Sequence, residues 1–264
     1  MIYAVIKAAL LVTAIGLICA AVLVIAAVFM SVRENEKENK LRECLPGANC
    51  GACGYTGCDG YAKALCDGSC TKTNLCVPGG STAAKEISDV LGVGFEDTEP
   101  LVAAVLCNGD CNSTEKKALY SGIETCAAAK LIYGGDGSCS FGCIGRGDCA
   151  AVCPNGAVCL DGGVARILPD LCIGCGLCAK SCPQGIIRLI PANSSALISC
   201  SNKQKGAEAM KVCKSACIGC GLCARACPNE AITVSNNLAS IDHSKCTGCM
   251  SCVSACKKGC IHAI

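Results

Sequence analysis

Thiols with two or three residues between them recur along this chain: CIGCGLCAKSCP at 172–183, CIGCGLCARACP at 217–228, CTGCMSCVSAC at 246–256, and a looser CSFGCIGRGDCAAVC at 139–153. Cysteine is abundant overall, 31 of 264 residues, against 3% aromatic residues and no tryptophan. At that fraction thiol chemistry, rather than an apolar core, has to hold the fold. A disulfide framework and a metal framework are the two chemistries that use so much thiol. Disulfides join residues that meet across a fold in an oxidising compartment, whereas thiolates two residues apart converge on one centre. The spacing selects metal.

Three of these runs have the form C-x2-C-x2-C-x3-C, two of the three followed by proline. Bacterial ferredoxins use this run, and its fourth cysteine crosses to the neighbouring cluster. A shift of 74 positions superposes nine cysteine pairs without a gap: Cys126 on Cys200, Cys139 on Cys213, Cys143 on Cys217, Cys149 on Cys223, Cys153 on Cys227, Cys172 on Cys246, Cys175 on Cys249, Cys178 on Cys252 and Cys182 on Cys256. The crossing rule then groups Cys217, Cys220 and Cys223 with Cys256, and Cys246, Cys249 and Cys252 with Cys227. In the earlier copy it groups Cys172, Cys175 and Cys178 with Cys153. One site departs, because Arg146 stands where the repeat has Cys220. Cys139, four residues before Cys143, is the expected replacement, giving Cys139, Cys143, Cys149 and Cys182. A three-iron cluster on three thiolates is the alternative. Arg146 beside a cluster is expected to raise its potential, since positive charge favours the reduced form.

A different motif precedes these runs, LPGANCGACGYTGC continuing to CVPGG, with Cys50, Cys53, Cys58 and Cys76 as its thiols. Glycines at 51, 54 and 57 let the backbone curl and aim amides at sulfur. Four thiolates suit a fifth [4Fe–4S] cluster, and a structural zinc competes for the same donor set. Cys44, Cys66 and Cys70 lie close by as alternative ligands, although Cys66, on an expected short helix, GYAKALC, reads as a packing residue.

The elements that must position these thiols follow from the residues between the runs. AVCLDGGVARI and AITVSNNLASI each read as two short strands about a turn, at Asp161-Gly162 and Asn236-Asn237. Run, hairpin, run and final strand is the plan of a dicluster ferredoxin module. The expected fold is therefore α+β: a single N-terminal transmembrane helix, a small four-cysteine iron–sulfur domain and two dicluster ferredoxin-like modules. The predicted boundaries are an anchor over 1–30, a charged linker over 31–43, the four-cysteine domain over 44–100 and a connecting segment over 101–135. Module 1 follows over 136–190, and module 2 with a leading insertion over 191–264.

Residues 8–30 carry no charge and are long enough to span a hydrocarbon core as a helix. A cleaved signal peptide normally has a shorter apolar region. Lys7 precedes the span and Arg33, Lys37, Lys40 and Arg42 follow it. The positive-inside rule puts the N-terminus outside and the cysteine-rich remainder in the cytoplasm. The linker, RENEKENKLRE, is either a helix or a solvated tether.

Cysteines outside the scheme are expected to be inert. Cys19 lies in the span, Cys159 in a hairpin strand, and Cys260 opposite Ile186. Cys107 and Cys200 end strand-like apolar runs, LVAAVLC and SALISC; with Cys111, Cys126 and Cys213 they either pack as buried thiols, the favoured reading, or ligate a further cluster. The sequence has no G-x-G-x-x-G after a strand, no Walker loop and no H-E-x-x-H, and only His243 and His262. Single-electron transfer fits this inventory; two-electron chemistry belongs to partners.

A single N-terminal span, then PGANCGACGYTGCDGYAKAL with CVPGG, then ferredoxin modules, resembles the B-subunit of the Rnf complex along the whole chain. The resemblance implies an electron-transfer subunit of an ion-translocating ferredoxin:NAD oxidoreductase in the cell's inner or plasma membrane. It implies reduced ferredoxin as donor and flavin-bearing membrane subunits as acceptors, with no nucleic acid and no direct NAD binding. The electron-transfer subunit of a membrane hydrogenase or reductase, and a corrinoid iron–sulfur protein, are the rival readings. Residues 171–264 hold ten Lys and Arg against three acids, although the whole chain is only +2. That basic excess predicts that an acidic ferredoxin docks on the C-terminal module.

Overall fold

The computed structural model describes residues 2–29, 35–95, 97 and 99–264. Met30 and residues 31–34, where the predicted span ends and Arg33 lies, fall outside them. The chain opens with α1, Ile2–Phe29, a continuous 28-residue helix with Lys7 as its one charge. Side chains at 10–25 are exposed, on every face. The longest continuous stretch of α1 with described side chains is 10–26, and among the described residues no helix is long and apolar enough to cross a membrane.

The charged linker continues as a helix, α2, Glu36–Glu43, capped by the Asn35 side chain, which accepts from the Lys37 amide. It is no free tether: Leu41 is fully buried and Arg42 is ion-paired to Asp59 on α3, Cys58–Cys66. Residue α-propensity is high here and the apolar Leu41 faces inward, so packing fixes what propensity starts. Then α4, Gly80–Leu91, closes the small domain over Tyr61, Leu65 and Ile87.

The first module begins earlier than its first ligand run. Strand β1, Leu101–Val105, is followed by short helices α5, Cys126–Leu131, and α6, Asp148–Ala151. The hairpin β2, Val158–Asp161, and β3, Val164–Ile167, comes next, then α7, Leu177–Ser181, and β4, Ile187–Pro191. β1 pairs antiparallel with β4, from Leu101 opposite Pro191 to Val105 opposite Ile187. The segment expected only to connect thus supplies a strand to module 1. The hairpin turn is Gly162-Gly163, one residue later than expected, because those two residues take positive φ.

The second module repeats the plan. β5, Ala196–Ile198, leads to α8, Gly206–Val212, α9, Leu222–Arg225, the hairpin β6, Ile232–Ser235, and β7, Leu238–Ile241, then α10, Ser251–Ala255, and β8, Ile261–Ala263. β5 pairs antiparallel with β8, as β1 does with β4. Its hairpin turns at Asn236-Asn237, as the sequence predicts. In both modules a ligand loop presses on the first strand. A Cβ on Gly174 would stand 2.4 Å from the Leu101 carbonyl oxygen, and one on Gly248 would stand 2.6 Å from Ser195 Oγ. Both glycines have positive φ, so only glycine lets these loops close.

Candidate iron–sulfur sites

Tight loops with left-handed glycines carry the thiols inward, and short helices such as α6, α7, α9 and α10 each seat one more on a buried face. All the described cysteines are free thiols. In the small domain Cys76 is within electrostatic reach of Cys58, Cys50 and Cys53, the set expected from spacing. Cys44 instead donates to the Lys40 carbonyl within its own helical turn. Cys66 takes a hydrogen bond from Asn35, and Cys70 turns to the Lys72 carbonyl. Neither bond points those thiols at the expected cluster.

In module 1, Cys153, Cys172, Cys175 and Cys178 line one cavity with an empty volume of about 350 Å³. The Ala103 amide donates to Cys172 Sγ and the Ala157 amide to Cys153 Sγ, at 3.4 and 3.2 Å. Amides aimed at sulfur are what a cluster-bound thiolate requires, so donor set and surroundings both fit.

The second cavity of module 1 gathers a different set of thiols from the one spacing favoured for the irregular site. It has an empty volume of about 320 Å³ and is lined by Cys126, Cys143, Cys149 and Cys182, without Cys139. Cys149 responds to both Cys126 and Cys182, and Cys143 to Cys126. The fourth thiol is therefore brought by α5. Asp148 fixes it there, since its carboxylate accepts from the Cys126 amide at 2.7 Å and the Ala127 amide at 3.0 Å. Proximity in sequence favoured Cys139, whereas Cys126 arrives through a fold-back that spacing does not encode.

Arg146, the residue in place of a thiol, does not act as a bare positive charge. It pairs with Glu124 and with Asp136, the latter at 3.0 Å, and stacks 4.2 Å from the Tyr120 ring centroid. Its two carboxylate partners include Asp136, which Lys116 also pairs with at 3.1 Å, so Arg146 belongs to a network of two cations and two anions. Burial alone would push the Asp136 carboxyl up, but Lys116, its own amide and Arg146 hold it below the usual carboxylate range.

In module 2, Cys223 responds to Cys217 and Cys256, and Cys252 to Cys246 and Cys249. Cys220 and Cys227 stand in the same loops, Cys227 packed at the module's core. Cys260, expected to be a packing residue, is 2% exposed with its sulfur 3.5 Å from Cys256 Sγ. Its hydrogen bond holds the Cys217 thiol below the ordinary range. Burial pushes other thiols up, to about 11 at Cys143, Cys149 and Cys178. Metal binding there must release protons. Among the described residues no three His, Cys, Asp or Glu side chains meet as a single-ion site; the thiols stand around cavities.

Residues 171–231 and 216–260 match the family described as "4Fe-4S dicluster domain", and residues 45–78 match "Putative Fe-S cluster". The B-subunit of the proton-translocating ferredoxin:NAD(+) oxidoreductase complex of Clostridium ljungdahlii is 43% identical over 233 residues, 88% of this chain and 82% of that protein. The chain belongs to this B-subunit family. Its counterpart in the Na(+)-translocating ferredoxin:NAD(+) oxidoreductase complex of Acetobacterium woodii is 37% identical over 87% of this chain and 69% of that protein. The B-subunit of the ion-translocating oxidoreductase complex of Methanosarcina acetivorans is 32% identical over 88% of each. Membership in the B-subunit family, with its dicluster matches, makes this an iron–sulfur chain bearing 4Fe-4S clusters. It also answers the hydrogenase and corrinoid alternatives. The first dicluster match joins the CIGCGLC runs of two different modules, whereas the fold partners residues 172–182 with the Arg146-bearing run before them.

Proposed function

We propose that this chain is the electron-transfer subunit of a membrane-bound, ion-translocating ferredoxin:NAD(+) oxidoreductase. It takes electrons from reduced ferredoxin and hands them to flavin-bearing membrane subunits of the same complex. The carriers are [4Fe–4S] clusters on the five thiol groups described above, with Cys126 in place of Cys139. A cluster bound at each group supplies a one-electron carrier there, and the protein supplies thiolates, amides and spacing.

The observation that carries this reading is that the thiol groups follow one another through the fold. Cys175 of module 1 responds to Cys50 of the small domain. Lys180 ties the two together by donating to the Cys50 and Gly51 carbonyls, at 3.4 and 3.1 Å. The small domain is in turn packed on α2, immediately after α1. A helix of 28 residues is about 42 Å long at 1.5 Å per residue, and apolar side chains on every face suit lipid. We read α1 as a single-pass anchor with the N-terminus outside and the iron–sulfur domains in the cytoplasm.

Anaerobic purification from membranes tests the reading. The chain should copurify with flavin-containing membrane subunits, and reduced ferredoxin should bleach its visible absorbance. A nickel–iron partner, or absorbance indifferent to ferredoxin, would overturn it.

A further inference from the structure

Four cysteines outside the five groups converge where the two modules meet. Cys107 follows β1 and Cys139 lies in the insertion before the first ligand run, both from module 1's side. Cys200 follows β5 and Cys213 ends α8, both from module 2's side. The four line a single cavity with an empty volume of about 450 Å³, of the same order as the two module 1 cavities. Cys213 responds to Cys139, Cys107 and Cys200, while Cys139 responds to Cys107 and Cys200 to Cys139. Cys107, Cys200 and Cys213 are each at most 9% exposed.

Their surroundings repeat what the other groups show. The Cys143 amide donates to Cys107 Sγ and the Cys217 amide to Cys200 Sγ, both at 3.3 Å. The 1%-exposed Asn202 points its amide at Cys139 Sγ, 3.7 Å away. Gly109 leaves the middle open, since a Cβ there would stand 3.3 Å from Cys213 Sγ and 3.7 Å from Cys107 Sγ. Thiols kept only for packing would fill that space with carbon; here four sulfurs face it from both modules.

We infer that Cys107, Cys139, Cys200 and Cys213 hold a sixth [4Fe–4S] cluster that bridges the two ferredoxin modules. The inference rests on the five-cluster reading above and adds one site to it. It also gives the repeat its continuity. The site's own thiols accept the amides of Cys143 in one module and Cys217 in the other, so it adjoins one expected ligand of each.

Anaerobic iron and acid-labile sulfide assays on the full chain in detergent, with EPR of the reduced protein, test this. Wild type should hold about 24 irons, at four per cubane. Cys107→Ser and Cys213→Ser should each hold about 20 with the remaining signals intact, and the double variant should lose no more than either alone. Cys111→Ser, at an exposed thiol, should match wild type. Gly109→Val, which keeps all four thiols and fills the space between them, should also lose about four irons. About 20 irons in wild type, unchanged in Cys213→Ser, would overturn the sixth site and leave the five-cluster reading standing. About 12 or fewer in wild type would overturn that reading itself. One zinc per chain, lost in Cys213→Ser, would overturn the cluster in favour of a single ion.

Discussion

Arg146 and Cys126 are two halves of one local solution. Where the repeat has a thiol at position 220, the earlier copy has a guanidinium, and that guanidinium holds the very segment that brings a substitute thiol. Glu124 and Tyr120 lie just before Cys126, and Asp136 just after α5; all three contact Arg146. The sequence displays the missing thiol plainly, but not its replacement, because Cys126 reaches the site through side-chain contacts between residues many positions apart. Cys126→Ser should therefore remove one cluster or convert it to a three-iron form, seen as about four irons lost or a new signal in the oxidised protein. Cys139→Ser should leave that cluster's signal untouched; its loss in this variant instead would restore Cys139 as the ligand. Arg146→Ala leaves Asp136 paired with the exposed Lys116 alone, at 3.1 Å, and removes the ring contact with Tyr120. The expected result is a lower unfolding midpoint together with selective loss of the Cys126 cluster.

At the scale of elements, the strands that open each module were legible and their pairing was not. The apolar runs ending at Cys107 and Cys200 read as strands, and both are. The gapless shift nevertheless set Cys200 against Cys126, whereas the fold makes Cys107 its counterpart: each follows the first strand and each accepts the amide of its module's first ligand. The reason is insertion. Thirty-six positions separate Cys107 from Cys143, but only seventeen separate Cys200 from Cys217. A fixed shift cannot align both the strand and the ligand run.

The shorter connection is the basic one. Lys203, Lys205, Lys211 and Lys214 are all exposed on and around α8, and Lys214 also reaches the Asn112 carbonyl at 3.3 Å. No acidic side chain is ion-paired to any of the four among the described residues. An acidic donor is steered by such a surface, and screening weakens the attraction beyond a Debye length of about 8 Å at physiological salt. Reversing the four lysines to glutamate should slow ferredoxin-driven reduction about tenfold or more at low salt, and added salt should slow the wild type alone. Rates unaffected by both would move the docking surface away from α8.

For the whole molecule, the sites adjoin one another in chain order from the small domain onward. The small domain meets module 1 at Cys50 and Cys175, module 1 meets the bridging thiols at Cys143 and Cys107, and these meet module 2 at Cys200 and Cys217. The order was only half visible in the sequence, which points to five ligand groups and an apolar N-terminal run but not to which groups touch. On this order ferredoxin bound at α8, whose end carries Cys213, delivers electrons at the bridging thiols between the modules, and the small domain is the expected last site before the partner subunits. Rapid mixing of ferredoxin with the full complex, followed by freezing and EPR, should show the signal that Cys213→Ser abolishes before the signal that Cys50→Ser abolishes. In Cys50→Ser itself, module 2 should still be reduced at the wild-type rate while transfer to the flavin subunits stops. If the Cys50-dependent signal rises first, or the flavins are reduced normally in the variant, electrons enter through the small domain and the order is reversed.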